Sequence, residues 1–135
     1  MDSYKTLEAW KRPHAAVLLV FQTTDRASHP RAFGLFDQLK RATLSVEANI
    51  VEGYALGTIG LCRRHLRIAF GSAAEAECEA RVARELGYLP DSAVQEIESL
   101  LSGAMRTLYG LMISPPVMRS RHCIGSNHSP RTTRS

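Results

Sequence analysis

A row of polar side chains with helical spacing contains the residues whose types could support chemistry. Ser45, Asn49 and Glu52 are four and three residues apart, which places them on one side of a helix. Ser72 and Glu75 supply a second hydroxyl and a second carboxylate on a later predicted helix. Such groups can form hydrogen bonds between helices, and leaving them buried without partners costs about 1–3 kcal/mol each. The predicted inter-helix network consists of Arg41, Ser45, Asn49, Glu52, Ser72 and Glu75.

The two carboxylates of this row leave two functions open. Glu52, Glu75 and Glu79 could supply paired carboxylates, and a small enzyme that uses Glu52 and Glu75 in a buried site for acid–base catalysis is one possibility. They could instead only hydrogen-bond across the helix interface. We favour the second interpretation because the sequence contains no nucleophile elbow and no glycine-rich phosphate-binding motif. The sequence therefore predicts a non-enzymatic interaction protein without catalytic residues, and the enzyme is the alternative.

The possible ligand residues do not predict a metal site or any cofactor. A di-iron bundle needs a histidine three residues after a glutamate, and no glutamate in the sequence meets this condition. Cys62 and His65 share a predicted helix face, but two ligands do not complete a zinc site. His14 on an apolar face is expected to be a packed or interface residue. The three cysteines have no tight spacing, so we expect free thiols in a reducing, cytoplasmic compartment.

Basic residues suggest nucleic acid as a partner, although the charge is unevenly distributed. The net charge of +4 comes entirely from residues 114–135, which hold four arginines and no acid. Residues 1–113 are neutral, with a surplus of +4 in residues 1–72 and of −4 in residues 73–113. A head-to-tail contact between copies would match these two parts. The candidate contacts to RNA or DNA are Lys40, Arg63, Arg64 and Arg67.

Apolar periodicity predicts that four helices must position these residues. We expect an all-α fold, an antiparallel up-down four-helix bundle with short loops over residues 1–113, followed by a basic, flexible tail over 114–135. Pro13 leaves the start of the first helix open between Glu8 and Lys11 or Arg12. The other boundaries follow from turn and cap residues. The second predicted helix starts near Leu35 or Phe36, the third at about Ile59, and the fourth after a cap at Asp91 or Ser92.

The sequence also predicts self-association. No apolar run is long enough to span a membrane. Several apolar residues nevertheless lie off the core stripes of their helices, and such a surplus indicates a contact with another subunit. These residues are Leu19, Val20, Leu44, Val51, Leu100, Met105 and Met112.

Two sequence elements resemble a known family. They are Asn49-Ile50-x-Glu52-Gly53 and Gly71-Ser72-x-x-Glu75-x-Glu77, and the similarity extends over about 7–113. They resemble the four-helix bundle proteins encoded in intervening sequences of bacterial 23S ribosomal RNA genes. The resemblance implies a homo-oligomeric ring, typically a pentamer. It also implies a relation to accessory bundles of diversity-generating retroelements, which bind nucleic acid and a reverse transcriptase.

Overall fold

The computed structural model describes residues 8–56 and 58–113 and, further on, two short strands. The chain forms four α-helices that pack as a bundle, which confirms the predicted fold class. Consecutive helices are neighbours, and α1 also contacts α4, so the bundle is closed. The helices are α1 (Glu8–Arg26), α2 (Phe33–Leu56), α3 (Ile59–Glu85) and α4 (Asp91–Ile113), with a 3-10 turn at Pro30–Ala32 between α1 and α2.

Local signals explain most of the helix ends. Thr58 caps α3, because its hydroxyl accepts a hydrogen bond from the Leu61 N–H at 3.4 Å. Gly87 has φ +77° after the end of α3, a conformation that glycine adopts without steric cost. The later start proposed for α1 is wrong. The helix begins at Glu8, and Pro13 lies inside it as a buried residue.

The core is dense because α3 presents small residues to its neighbours. Its inward stripe consists largely of fully buried alanines, whereas α2 contributes larger side chains such as Leu39, Val46 and Ile50. Small residues on one helix let the facing backbone approach closely, so large side chains of the other helix fill the space between them. This close approach also brings the polar flanks of α2 and α3 within hydrogen-bond distance.

The two strands after α4 and the disulfide bond of Cys62 in α3 differ from the sequence predictions. The sequence shows no strand-like alternation, yet β1 (Val117–Arg119) pairs antiparallel with β2 (His122–Ile124), and β2 contacts α2 and α3. The rest of the predicted flexible tail lies outside the described residues. Cys62 is disulfide-bonded, so the prediction of a free thiol is wrong there, whereas Cys78 is free and exposed.

Of the residues that predicted a surplus of apolar surface, Leu44 on α2 is exposed, whereas those on α1 and α4 pack within their own chain. Val20 is fully buried, and Leu19 packs against the core of its own chain, as do Leu100, Met105 and Met112. These residues fit within one bundle because they belong to its core or pack against it. Leu44 remains 45% exposed on α2. Among the described helices, none is both long and apolar enough to cross a membrane.

Candidate functional site

The polar row of α2 forms hydrogen bonds to α3 through two serines. The hydroxyl groups of Ser45 and Ser72 are 2.8 Å apart across the helix interface. Asn49 donates from Nδ2 to the carbonyl oxygen of Ser45 at 2.8 Å and to its hydroxyl at 3.2 Å. The three side chains are all partly buried. They therefore form a continuous polar chain beside the apolar core, and each member has a partner.

His65 extends this chain, and the sequence analysis did not place it in the network. Its Nδ1 lies 2.9 Å from Oδ1 of Asn49 and 3.6 Å from Oε1 of Glu52. Since the Asn49 amide nitrogen donates to Ser45, its oxygen is the acceptor, and Nδ1 of His65 carries a proton. A Cβ added to Gly53 would lie 3.1 Å from the His65 Cβ. Three residues of the Asn49–Gly53 element thus surround one histidine of α3.

The remaining two members of the predicted network lie outside this chain. Arg41 forms an exposed ion pair with Asp37 at 3.0 Å, one turn earlier on α2. Glu75 is exposed. Both line a cleft of ≈ 440 Å³ between α2 and α3, and its lining residues are Asp37, Gln38, Arg41, Ala42, Ser45, Ser72 and Glu75. The hydrogen-bonded serine pair forms part of its wall.

A buried carboxyl group, that of Glu79, lies one turn after Glu75 on α3, and the sequence analysis gave it as a possible member of a carboxylate pair. Glu79 is only 8% exposed, and its Oε1 has no hydrogen-bond partner among the described residues. Burial, together with the charge of Glu75 and a hydrogen bond to it, raises the pKa of Glu79 to about 7. The signal was the three-residue and four-residue spacing Ser72, Glu75, Glu79 on α3. The alternative enzyme site instead used Glu52 and Glu75 as its buried carboxylates.

The alternative prediction, an enzyme site with two buried carboxylates, is wrong about their burial. Glu52 and Glu75 are both exposed rather than buried. They also lie at different levels of the α2–α3 interface, because Glu52 is near His65 whereas Glu75 shares the cleft with Arg41. The part of the chain that the structure describes contains no group of three or more histidine, cysteine or acidic residues that could hold a metal.

A second polar cluster joins α1 to α2. Oε2 of Glu47 accepts hydrogen bonds from the indole nitrogen of Trp10 and from Nδ1 of His14, each at 2.7 Å. The two rings are stacked, with centroids 4.4 Å apart. The side chain of Glu47 is only 17% exposed. His14 is therefore a packed residue of a helix–helix contact, as its position on an apolar face suggested.

The predicted basic residues do not form one patch. Lys40 belongs to the first half of α2, where its ammonium group lies 5.5 Å from the centre of the Phe21 ring on α1. Arg63, Arg64 and Arg67 lie in the first third of α3. Since α2 and α3 are antiparallel, these two positions belong to opposite ends of the bundle. Lys40 therefore lies apart from the arginine cluster.

Antiparallel packing converts the charge pattern along the chain into a charge difference between the two ends of the bundle. One end consists of residues 8–17, 45–56, 59–72 and 102–113, which carry six basic and three acidic side chains. The other end consists of residues 18–44 and 73–101 and carries six basic and nine acidic side chains. We call these the basic end, with net +3, and the acidic end, with net −3.

A family comparison agrees with this bundle. The model of the 23S rRNA-intervening sequence protein family matches residues 5–110. The chain belongs to this family. The matched range covers all of α1, α2 and α3 and most of α4, so the polar chain, the cleft and both ends of this family member lie within it. A search among curated proteins gives no match to the chain.

Proposed function

We propose that this family member is a non-enzymatic, oligomeric interaction protein that binds RNA or DNA through its basic end, as an accessory protein. The observation that supports this proposal is that two arginines at the basic end are exposed and have no acidic partner among the described residues. Arg64 and Arg67 are exposed on α3, and the described residues supply no acidic partner to either. Unpaired, exposed arginines are available to phosphates, and release of counterions from the nucleic acid favours the contact.

At the acidic end three of the six cations are in ion pairs, whereas at the basic end only Lys11 of six is paired with an acid among the described residues. Arg81 and Arg84 both pair with Glu98, at 3.7 and 3.2 Å, and Arg41 pairs with Asp37. These ion pairs withdraw cations from the surface of an end that already has an acidic surplus. The positive field is therefore concentrated at the basic end, where α4 also ends and the arginine-rich residues after 113 begin.

Binding to RNA and DNA at increasing salt tests this function. The wild-type protein should retard both in a gel at low salt and lose affinity steeply as salt rises. The double variant Arg64→Ala/Arg67→Ala should bind much more weakly. Arg26→Ala/Arg31→Ala is the matched control, because it removes two exposed arginines at the acidic end. No binding at low salt, or equal loss in both variants, would refute the proposal.

The outer face of α2 supports the oligomer. Leu44, Ala48, Val51 and Ala55 are four, three and four residues apart, so they form a second apolar stripe opposite the core stripe. Three of them are exposed. The adjacent helices also carry exposed apolar residues, and they are Leu18, Leu61 and Ile68. An exposed apolar stripe like that of α2 is typical of a subunit interface. The family resemblance suggests a ring of five.

Light scattering at micromolar concentration tests the oligomer. The wild type should give a multiple of the 14.9 kDa chain mass, and five copies would agree with the resemblance. Leu44→Glu should lower the mass, because a buried, unpaired charge would oppose the contact. Leu86→Glu is the control at an exposed leucine beyond α3. A monomeric wild type would exclude the oligomer, and a dimer would exclude the ring.

A further inference from the structure

We propose that α3 makes a second contact between copies of the chain, in which the outer face of one α3 packs antiparallel on the same face of another. We call this face the α3 stripe, and its residues are alternately three and four positions apart, a spacing typical of a helix that packs along another helix. They are Leu61, Arg64, Ile68, Gly71, Glu75, Cys78, Val82 and Glu85. The proposal rests neither on nucleic-acid binding nor on the apolar stripe of α2, and only Arg64 belongs both to this stripe and to the arginines proposed to bind phosphates.

No part of the described bundle covers the α3 stripe. All of its residues are exposed, and its apolar members Leu61, Ile68 and Val82 are 46%, 41% and 39% exposed. Gly71 lies near the middle of the helix, where glycine is less favourable than alanine. A Cβ at this position would meet no atom of the rest of the described bundle within 4 Å, so the bundle itself does not require a glycine. The glycine would instead let a second helix approach closely.

The order of charges on α3 identifies the partner as a second α3. Residues 59–71 carry three arginines and no acid, whereas residues 72–85 carry four glutamates and two arginines. This order opposes the helix dipole, so it does not stabilise an isolated α3. A second α3 in antiparallel orientation places the acidic half of each helix against the basic half of the other. A parallel pair would bring like charges together.

One register of the antiparallel pair matches both charge and size. It places Arg64 opposite Glu75 of the second copy, and neither residue has an ion-pair partner among the described residues. Each larger apolar residue then faces a small one. The facing pairs, with one residue from each copy, are Arg64 with Glu75, Ile68 with Gly71 and Leu61 with Cys78, and two-fold symmetry repeats each of them. A shift by one heptad would instead put Leu61 opposite Glu85 and Gly71 opposite Glu75.

Exchange of the facing charges tests the contact. Arg64→Glu and Glu75→Arg should each halve the mass that light scattering gives at micromolar concentration, because each brings like charges together twice in the symmetric pair. The double variant Arg64→Glu/Glu75→Arg should restore the wild-type mass. Both positions are exposed, so the variants should fold, which circular dichroism checks. Arg26→Glu and Glu96→Arg change exposed charges outside α3 and should keep the wild-type mass.

A disulfide bond between two copies tests the register. The thiol of Leu61→Cys would lie opposite Cys78 of the second copy, so oxidised glutathione should produce a covalent dimer joined from 61 to 78. These positions are about 25 Å apart along one helix, so the bond cannot form within one chain. Leu61→Cys/Cys78→Ser should not form this dimer. Leu86→Cys is the control at an exposed leucine outside the register, and non-reducing peptide mapping identifies the bond.

The Leu44→Glu background separates this contact from that of α2. There the α3 contact alone should give twice the 14.9 kDa chain mass, and addition of Arg64→Glu should reduce it to one chain. Absence of the α2 contact would leave these results unchanged. The α3 contact is refuted if Arg64→Glu and Glu75→Arg keep the wild-type mass, if the double variant does not regain it, or if Leu61→Cys does not cross-link to Cys78.

Discussion

Nδ1 of His65 lies 2.9 Å from Oδ1 of Asn49, so the side chain of a histidine on α3 hydrogen-bonds the side chain of an asparagine on α2. The same asparagine donates to Ser45 on its own helix. The oxygen of this amide therefore links α2 to α3, while its nitrogen is held by Ser45 within α2.

Asn49→Ala should lower the free energy of unfolding by about 1–3 kcal/mol. The reason is that the variant leaves His65 and the partly buried Ser45 hydroxyl without their amide partner. Thermal or denaturant unfolding measures the effect. Gln95→Ala is the control, because Gln95 is exposed on α4. An unchanged melting temperature for Asn49→Ala would mean that the polar chain contributes no stability.

Two glycine substitutions should have different outcomes. Gly71 lies inside α3 with open space around it, so Gly71→Ala should stabilise the protein by about 0.5–1 kcal/mol through helix propensity. Gly53→Ala should lose that gain, because its Cβ would lie 3.1 Å from the Cβ of His65. Denaturant midpoints of both variants measure the difference. Equal stabilisation would show that α2 and α3 can separate there without cost.

Glu47→Ala should disturb the only tryptophan of the chain. The variant removes the acceptor that Trp10 and His14 share, so the indole environment should change and the protein should lose about 1–3 kcal/mol. Tryptophan fluorescence and thermal unfolding report these two effects separately. Glu96→Ala provides an exposed acid as comparison. An emission spectrum identical to wild type would contradict the contact.

Glu79 should make the protein less stable as pH rises from about 4.5 to about 7. Its pKa is raised in the folded state, mainly by burial, so the folded chain binds more protons than the unfolded chain in this window. The loss should be about 1–3 kcal/mol and complete above pH 7. Glu79→Gln should remove this contribution and be more stable than wild type at pH 8. Denaturant unfolding measures the free energy of unfolding of both proteins across this pH range. If the two values changed with pH in parallel, the raised pKa of Glu79 would be refuted.

The sequence by itself determined the helices and their order. Apolar spacing, the Thr58 cap and Gly87 are local signals, because each acts through residues within a few positions. The same periodicity placed Ser45 and Asn49 beside the core of α2. The sequence also showed that the charge changes sign along the chain, but it did not show which charged residues would be neighbours in the fold.

Only the tertiary structure decided which of these groups meet. His65 joins Asn49 because α2 and α3 approach closely at Gly53, and Glu47 binds Trp10 because α1 packs on the other side of α2. Glu79 is buried, whereas Glu52 is exposed, although both are glutamates beside a core stripe. The difference follows from the rotation and separation of paired helices. Those are set by the packing of all side chains at an interface, which no single helical pattern contains.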